Sequence, residues 1–267
     1  MKKASTTLNF WQKLAANQPL VTVLALVLAL VVWQGLVWLT RLPAFILPAP
    51  SQVATKLVEV LRSGMLWRHL SVTLYEIVLG LVVGTLLAVV VGYALSKSPL
   101  AEKLLTPFLV GSQAVPIVAI APLLVIWFGP GIFSKTLICV LVVFFPVLVN
   151  TLVGLREVPQ NLRELMRSLK ATPAQTLRYL EYPAALPVLL GGLRVGATLS
   201  VIGAIVGELV GSDRGLGFMI SLGRGQYDTA LVFVAVITLI VLASVLYGLI
   251  IWLESRLLSW QTWRRET

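Results

Sequence analysis

The chain has 267 residues, of which 58% are apolar and only 12% are charged. Because soluble globular domains carry about 25% charged residues, this composition excludes a soluble protein and indicates one bundle of helices in a bilayer. The net charge of +10 is typical of basic residues that collect on the cytoplasmic segments of a membrane protein, so no nucleic-acid partner is expected.

Six apolar segments are long enough to cross a bilayer as helices of about 20 residues. The first is too long for the core of a signal peptide, and no small-residue cleavage site follows it. We therefore predict an all-α polytopic membrane protein in which residues 1–267 form one domain. The predicted spans cover residues 20–39, 71–95, 110–128, 133–153, 188–210 and 230–252.

The Lys and Arg residues indicate the orientation of these spans. Most of them fall in the N-terminal segment, between the second and third spans, in the loop of residues 154–187 and in the C-terminal segment. Because such an excess marks cytoplasmic segments, we expect both termini in the cytoplasm, as an even number of spans requires. The terminal basic residues are Lys2, Lys3, Lys13, Arg256, Arg264 and Arg265.

Small residues recur at every fourth position in the second span and form two such stripes in the fifth. Residues four apart share one helix face, and small residues there let helix backbones approach closely in lipid. We therefore expect the fifth span in the centre of the bundle. The glycines predicted to pack helices are Gly80, Gly84, Gly92, Gly196, Gly203 and Gly207.

Few ionisable residues fall inside the spans. Glu76, Arg194 and Glu208 lie toward span ends, Lys135 lies at a boundary, and His69 is expected at the outer surface. A secondary transporter coupled to ions usually needs a buried carboxylate or an unwound ion site, and none is evident here. Such a transporter, a channel and a membrane scaffold that only docks a soluble protein are the alternatives to an ATP-driven importer.

Two absences bear on chemistry. A single cysteine, Cys139, and a single histidine predict neither a disulfide framework nor a Cys/His metal site. Residues 129–136 imitate a P-loop, but Ser134 stands where the glycine before the lysine is needed to cradle phosphates. We expect a turn at the membrane edge there, no catalytic residue, and hence no enzyme.

Polar and aromatic residues of the inner spans are candidates for a solute pathway. The same residues are also suited to hydrogen bonds between helices or to anchoring at the membrane interface. Because few cationic donors accompany them, the pathway favours a neutral or heterocyclic solute over a small anion. The candidates are Gln113, Trp127, Asn150 and Ser200.

The loop of residues 154–187 is the longest and most charged cytoplasmic stretch. Asn161 is placed to cap a short helix whose apolar face holds Leu162, Leu165, Met166 and Leu169. Thr172 and Pro173 suit the N-cap and first turn of a second helix. Two such helices either lie on the lipid surface or fit the groove of a partner protein.

This loop resembles the coupling motif of bacterial binding-protein-dependent ABC importer permeases, which reads Glu-Ala-Ala, three residues, Gly, nine residues, Ile-x-Leu-Pro. Here Glu164 opens the motif, Lys170 stands at the glycine position, and residues 180–183 read Leu-Glu-Tyr-Pro. Because positive φ costs a non-glycine residue about 1–2 kcal/mol, Lys170 favours a more helical turn. Residues 47–51, 121–124 and 144–147 resemble the nitrate, sulfonate and taurine branch, and residues 201–208 and 215–217 are similar to members for thiamine pyrimidine precursors or riboflavin.

The resemblance implies the type I ABC importer permease fold in a bacterial inner membrane. It implies a second permease copy in a homodimer, a dimer of cytoplasmic ATPases, an extracytoplasmic solute-binding protein and surrounding lipid. It implies that the chain has no cofactor of its own, because ATP binds the partner. It also implies a solute such as a thiamine pyrimidine precursor or a riboflavin-like heterocycle. A sulfonate, taurine, nitrate or bicarbonate importer is the alternative. The residues that it assigns to ATPase coupling are Leu162, Glu164, Leu165, Met166, Arg167, Ser168, Leu169, Lys170, Ala171, Pro173 and Pro183.

Overall fold

A computed structural model describes residues 18–260, and within them eleven α-helices and no strand occur. The basic residues Lys2, Lys3, Lys13, Arg264 and Arg265, which support the predicted orientation, lie outside the described residues. A π-helical turn at Leu177–Glu181 joins the helices Pro173–Thr176 and Tyr182–Gly211. The helices are α1 Gln18–Thr40, α2 Pro50–Arg62, α3 Met65–Ser96, α4 Pro99–Gln113, α5 Ile117–Phe128, α6 Ile132–Arg156, α7 Gln160–Ser168, α8 Pro173–Thr176, α9 Tyr182–Gly211, α10 Leu216–Gly225 and α11 Thr229–Leu257.

Five helical runs among these residues are long and apolar enough to cross a membrane. They contain five of the six predicted spans: α1, α3, α6, the run from α8 to α9, and α11. The predicted third span, residues 110–128, is not one straight helix, because α4 and α5 meet at 95°. Pro116 lies in this break and lacks the backbone N–H that a continuous helix needs, and a proline also disfavours helical geometry at the residue before it.

The small-residue stripes of α3 and α9 both pack against α6. A Cβ at Gly80 would collide with Cβ of Cys139, and a Cβ at Gly92 would lie 2.8 Å from Cγ2 of Thr151. On the other side of α6, a Cβ at Gly203 would lie 3.1 Å from Cα of Cys139. The α6 helix, rather than α9, is therefore the most buried of the candidate spans. Gly84, Gly196 and Gly207 also face α6.

The α9 helix lies beside α6 and contacts four further helices, α3, α5, α10 and α11. By contrast α1 lies at the periphery, with nearly all its apolar side chains exposed. It is attached through Trp33, whose Nε1 donates to the carbonyl of Pro48 at 3.1 Å and whose ring stacks on Phe233 of α11. An apolar helix with so little protein contact is suited to face lipid.

Candidate functional site

Helix α7 presents an exposed row of leucines at one end of the bundle. The exposed fractions of Leu162, Leu165 and Leu169 are 39%, 53% and 68%, and no residue of α7 is buried. The helix begins at Gln160 after an N-cap at Pro159. The prediction that Asn161 caps it is wrong, because the Asn161 side chain accepts only from the adjacent amide of Leu162. Burying an exposed leucine against another apolar surface is favourable, so this row is suited to bind a partner protein.

The turn after α7 keeps the left-handed geometry that a glycine would adopt. Lys170 has φ of 51°, its N–H donates to the carbonyl of Arg167, and the N–H of Ala171 donates to the carbonyl of Met166, both at 2.9 Å. These two bonds form the Schellman closure of a helix C-terminus. The expectation of a more helical turn at Lys170 is therefore wrong, because two otherwise unpaired carbonyls are satisfied by the tighter geometry.

Helix α8 begins as predicted, at a capping box. The hydroxyl of Thr172 accepts from the amide of Gln175 at 3.3 Å, and the Gln175 side chain accepts from the amide of Thr172 at 2.8 Å. Pro173 occupies the first turn. We call residues 160–176 the α7–α8 hairpin. Of the remaining predicted coupling residues, Glu164, Arg167, Ser168 and Lys170 are exposed, and Met166, Ala171 and Pro183 are half-buried.

A buried carboxylate lies at the base of the hairpin. Glu181 is 1% exposed; Lys97 Nζ lies 2.7 Å and 2.8 Å from its two oxygens, and Arg163 Nη1 lies 3.1 Å from Oε1. Arg163 Nη2 also donates to the carbonyl of Leu155 at 2.6 Å. We call this group the Glu181 junction. Sequence reasoning missed it because Glu181 occupies the variable position of the motif; its signal was an acidic residue just before the apolar start of α9.

The bend between α4 and α5 opens a cavity of about 640 Å³ against α6 and α9. Its wall is mostly apolar and holds no charged side chain among the described residues. Of the four predicted pathway residues, the structure brings only Gln113 into this wall. Asn150 instead donates to the carbonyl of Pro146 at 2.8 Å, Ser200 is buried and donates to the carbonyl of Ala197, and Trp127 is 67% exposed on the surface of the bundle.

A second polar cluster lies at the end of the bundle opposite the hairpin. Its members, which we call the polar clamp, are His69, Thr73, Glu76, Lys135 and Glu208, and all five are buried. The spans therefore do contain buried carboxylates, and the expectations of a core without them and of a surface position for His69 are wrong. The signal in the sequence was the spacing of His69, Thr73 and Glu76, which puts the three on one face of α3.

The polar clamp binds the segment between α9 and α10. Thr73 Oγ1 donates to Glu208 Oε1 at 2.6 Å and accepts from the amide of Leu216 at 2.8 Å. His69 Nδ1 accepts from the amide of Gly215 at 3.0 Å, and Glu208 Oε2 accepts from the amide of Gly217 at 2.6 Å. The amides at the start of α10 are thus satisfied by side chains of α3 and α9.

Lys135 completes the clamp from α6. Its Nζ lies 3.6 Å from Glu76 Oε1 and donates to Ser212 Oγ at 2.6 Å. A buried lysine is tolerated when a carboxylate and a hydrogen-bond acceptor face it. The residues that imitate a P-loop therefore place their lysine in an ion pair inside the bundle. No three His, Cys, Asp or Glu side chains of residues 18–260 are grouped to hold a metal ion.

The bundle of spanning helices has a broken third span, a partly open cavity beside that break and an exposed hairpin at one end. These features together indicate a transport subunit of the membrane. Residues 80–259 match the family model described as the binding-protein-dependent transport system inner membrane component. The chain belongs to this family and is a permease subunit of an ABC importer, not an enzyme. The family implies a separate ATPase, a solute-binding protein and a bacterial inner membrane.

Similar curated proteins carry several transport names. The chain is 44% identical over 236 residues to the riboflavin transport system permease protein RibX of Chloroflexus aurantiacus. The aligned residues cover 88% of each chain. The chain is 34% identical to the formylaminopyrimidine transport permease protein ThiX of Halalkalibacterium halodurans, covering 91% of this chain and 97% of that one. It is 34% identical to the taurine transport system permease protein TauC of Escherichia coli, covering 86% of each.

A solved structure shares the fold. A chain from the inward-facing MetNI methionine ABC transporter superposes with a TM-score of 0.58 at 19% identity, covering 73% of this chain and 95% of that chain. The fold of the chain is therefore that of a type I ABC importer permease.

Proposed function

We propose that the α7–α8 hairpin is the element through which a cytoplasmic ATPase drives this permease. The observation that carries the proposal is the exposed leucine row of α7, which ends at the left-handed turn of Lys170. An amphipathic helix of this kind seats its apolar face in a groove of a partner. Leu162, Leu165 and Leu169 fill the groove, and the charged side chains of Glu164, Arg167 and Lys170 contact its rim.

We propose that the importer is built as a homodimer, as the resemblance to ABC importer permeases implies. Two copies provide a twelve-helix pathway, two ATPases each receive one hairpin, and the binding protein docks at the opposite end. With the hairpin in the cytoplasm, both termini are cytoplasmic. ATP closes the ATPase dimer, which displaces the hairpins and favours the outward-facing bundle because the closed ATPase binds that state better. The permease needs no cofactor of its own, and lipid covers the exposed apolar faces of α1, α3 and α11.

The solute is proposed to be a small aromatic heterocycle, such as riboflavin or a pyrimidine precursor of thiamine. The cavity beside the α4–α5 bend supports this, because Phe145 offers a ring, Ser112 and Gln113 offer hydrogen bonds, and no cation among the described residues lines the wall. Ligand sites of this kind are largely apolar with a few polar groups that fix orientation. A sulfonate, taurine, nitrate or bicarbonate is the second candidate, since relatives named for sulfonate and taurine transport cover most of the chain.

The test is ATP hydrolysis in proteoliposomes that contain the permease, its ATPase and its binding protein. Leu165→Asp places a charge in the groove and is expected to abolish the stimulation by loaded binding protein, whereas Leu165→Met conserves volume and apolar character and keeps it. Riboflavin, a formylaminopyrimidine and taurine are then compared as the bound solute. If loaded binding protein stimulates ATP hydrolysis with Leu165→Asp as much as with the unchanged protein, the hairpin does not seat in the ATPase and the proposal fails.

A further inference from the structure

Helix α7 of the α7–α8 hairpin makes few side-chain contacts with the rest of the bundle. No residue of α7 is buried. Among the residues that the structure describes, Arg163 is the one α7 side chain that donates a hydrogen bond to another helix or to the turn before α9. Apart from packing of the half-buried Met166, a displacement of α7 therefore reaches the bundle through the backbone at its two ends or through Arg163.

Arg163 connects α7 directly to α6 and to the turn before α9, and through Glu181 it connects α7 to α3. Its Nη2 holds the carbonyl of Leu155 in the last turn of α6, where helix carbonyls have no partner within the helix. Its Nη1 holds Glu181, which lies in the π-helical turn that leads into α9. Glu181 in turn holds Lys97, the C-cap of α3. The backbone joins α7 to α6 directly, but α3 and α7 are separated in sequence by two further spanning segments.

We propose that Glu181 is a positioning residue of the transport cycle, which carries the displacement of α7 through Arg163 and Lys97 to the cytoplasmic end of α3. The proposal rests on the coupling role assigned to the hairpin. In this role Glu181 acts through Arg163 and Lys97 rather than on ATP or solute. It links α7 to α3, which the chain does not connect there. A carboxylate that is 1% exposed between two cations resists separation, because a lone buried charge is strongly unfavourable.

The consequence concerns the ratio of transport to hydrolysis. Without the junction α7 still seats in the ATPase, so loaded binding protein still stimulates hydrolysis in part, but α3 no longer follows α7. Hydrolysis then proceeds with less solute movement per ATP. A residue that only stabilised the fold would lower the amount of assembled transporter and leave this ratio unchanged.

The experiment measures solute taken up per ATP hydrolysed in proteoliposomes of the full transporter. Glu181→Gln keeps the shape and removes the charge, and the expected result is a fall in the ratio of about ten-fold, the size of one lost charge-assisted hydrogen bond. Lys97→Met tests the α3 side separately, at a side chain that is 43% exposed and therefore tolerant of change. The matched control is Glu102→Gln, which removes another ion pair of the same end of the bundle, that of Glu102 with Arg156, without touching α7.

A double variant separates transmission from folding. If the pair acts as one unit, Lys97→Met with Glu181→Gln lowers the ratio no further than Glu181→Gln alone; two independent effects that multiply overturn the proposal. An unchanged ratio in Lys97→Met overturns it even where Glu181→Gln fails to assemble. If Leu165→Asp abolishes stimulation while both junction variants keep the ratio, only this inference fails; if Leu165→Asp also has no effect, the coupling role itself fails.

Discussion

The carboxylate of Glu208 accepts a hydrogen bond from the backbone amide of Gly217 at 2.6 Å, nine residues further along the chain. The contact is so close that a Cβ at Gly217 would lie 2.8 Å from Cβ of Glu208 and 3.0 Å from the carbonyl of Ile205. Both of these atoms belong to or are fixed by α9, so neither can move away easily. Residue 217 is thus a glycine because α10 starts directly against α9.

The first prediction is that Gly217→Ala destabilises the transporter by about 1–3 kcal/mol, the usual penalty for overpacking a filled site. Thermal unfolding in detergent measures it. Gly225→Ala at the end of the same helix is the control, because a Cβ there meets nothing within 4 Å. Equal midpoints for the two variants would show that α10 shifts freely along α9.

Two neighbouring glycines of α9 give the second prediction. A Cβ at Gly192 would lie 2.6 Å from Cβ of Asn150 in α6, whereas a Cβ at Gly191 meets nothing within 4 Å. Gly192→Ala is expected to lower stability by about 1–3 kcal/mol through this clash. Gly191→Ala is expected to be neutral or to stabilise by up to about 1 kcal/mol, because alanine is the better helix former. Unfolding of the two variants in the same detergent decides between them, and a loss in Gly191→Ala as large as in Gly192→Ala contradicts this packing.

The spans show how far the sequence predicts the fold. Apolar length located α3, α6, α9 and α11 because each depends on composition over about 20 residues, and the four-residue period located the faces on which glycines meet α6. Hydropathy does not predict the bend before Pro116, because the sum over residues 110–128 is the same whether the segment is straight or bent. A proline in a span permits either a kink or a break, and only packing of α5 against α6 and α9 decides which.

The candidate sites depended on contacts that a single sequence does not display. The leucine row of α7 follows from periodicity, but the burial of Glu208 follows from its contacts with Thr73, 135 residues earlier, and with the start of α10. The turn at Lys170 was mispredicted for an energetic reason. The steric cost of positive φ was counted, whereas the two backbone hydrogen bonds that offset it are visible only in the folded hairpin.

The third prediction follows from that turn. Lys170→Gly relieves the strain of φ at 51° and is expected to stabilise the hairpin by about 1 kcal/mol. Hydrogen exchange of the Ala171 amide, which donates to Met166, measures this as slower exchange. The control is Lys103→Gly inside α4, which is expected to destabilise by about 0.5–1 kcal/mol because a glycine there gains nothing and loses helix propensity. Faster exchange at Ala171 in Lys170→Gly would contradict the Schellman turn.

The fourth prediction concerns pH and the link between α2 and α11. Lys56 Nζ lies 2.8 Å from Glu59 and 3.0 Å from Asp228, which also caps α11 by accepting from the amide of Leu231. Hydrogen bonds first to Glu59 and then to Asp228 raise the pKa of Lys56 above its ordinary value of 10.5. A group whose pKa is raised by folding stabilises the protein fully below its unfolded pKa, and that contribution is lost as the pH rises through the folded pKa.

Thermal unfolding between about pH 9 and pH 12, the range around the lysine pKa, tests this link. The unchanged protein is expected to lose the contribution of Lys56 only above pH 10.5, where the ammonium gives up its proton. Lys56→Met is expected to be less stable than the unchanged protein below pH 10.5, by about 1 kcal/mol or less because the side chain is partly solvated. This difference is expected to shrink as the pH rises further, through the raised pKa of Lys56 in the folded protein. A difference between the two proteins that stays constant across the range would mean that Lys56 acts through the packing of its carbon chain rather than through its charge.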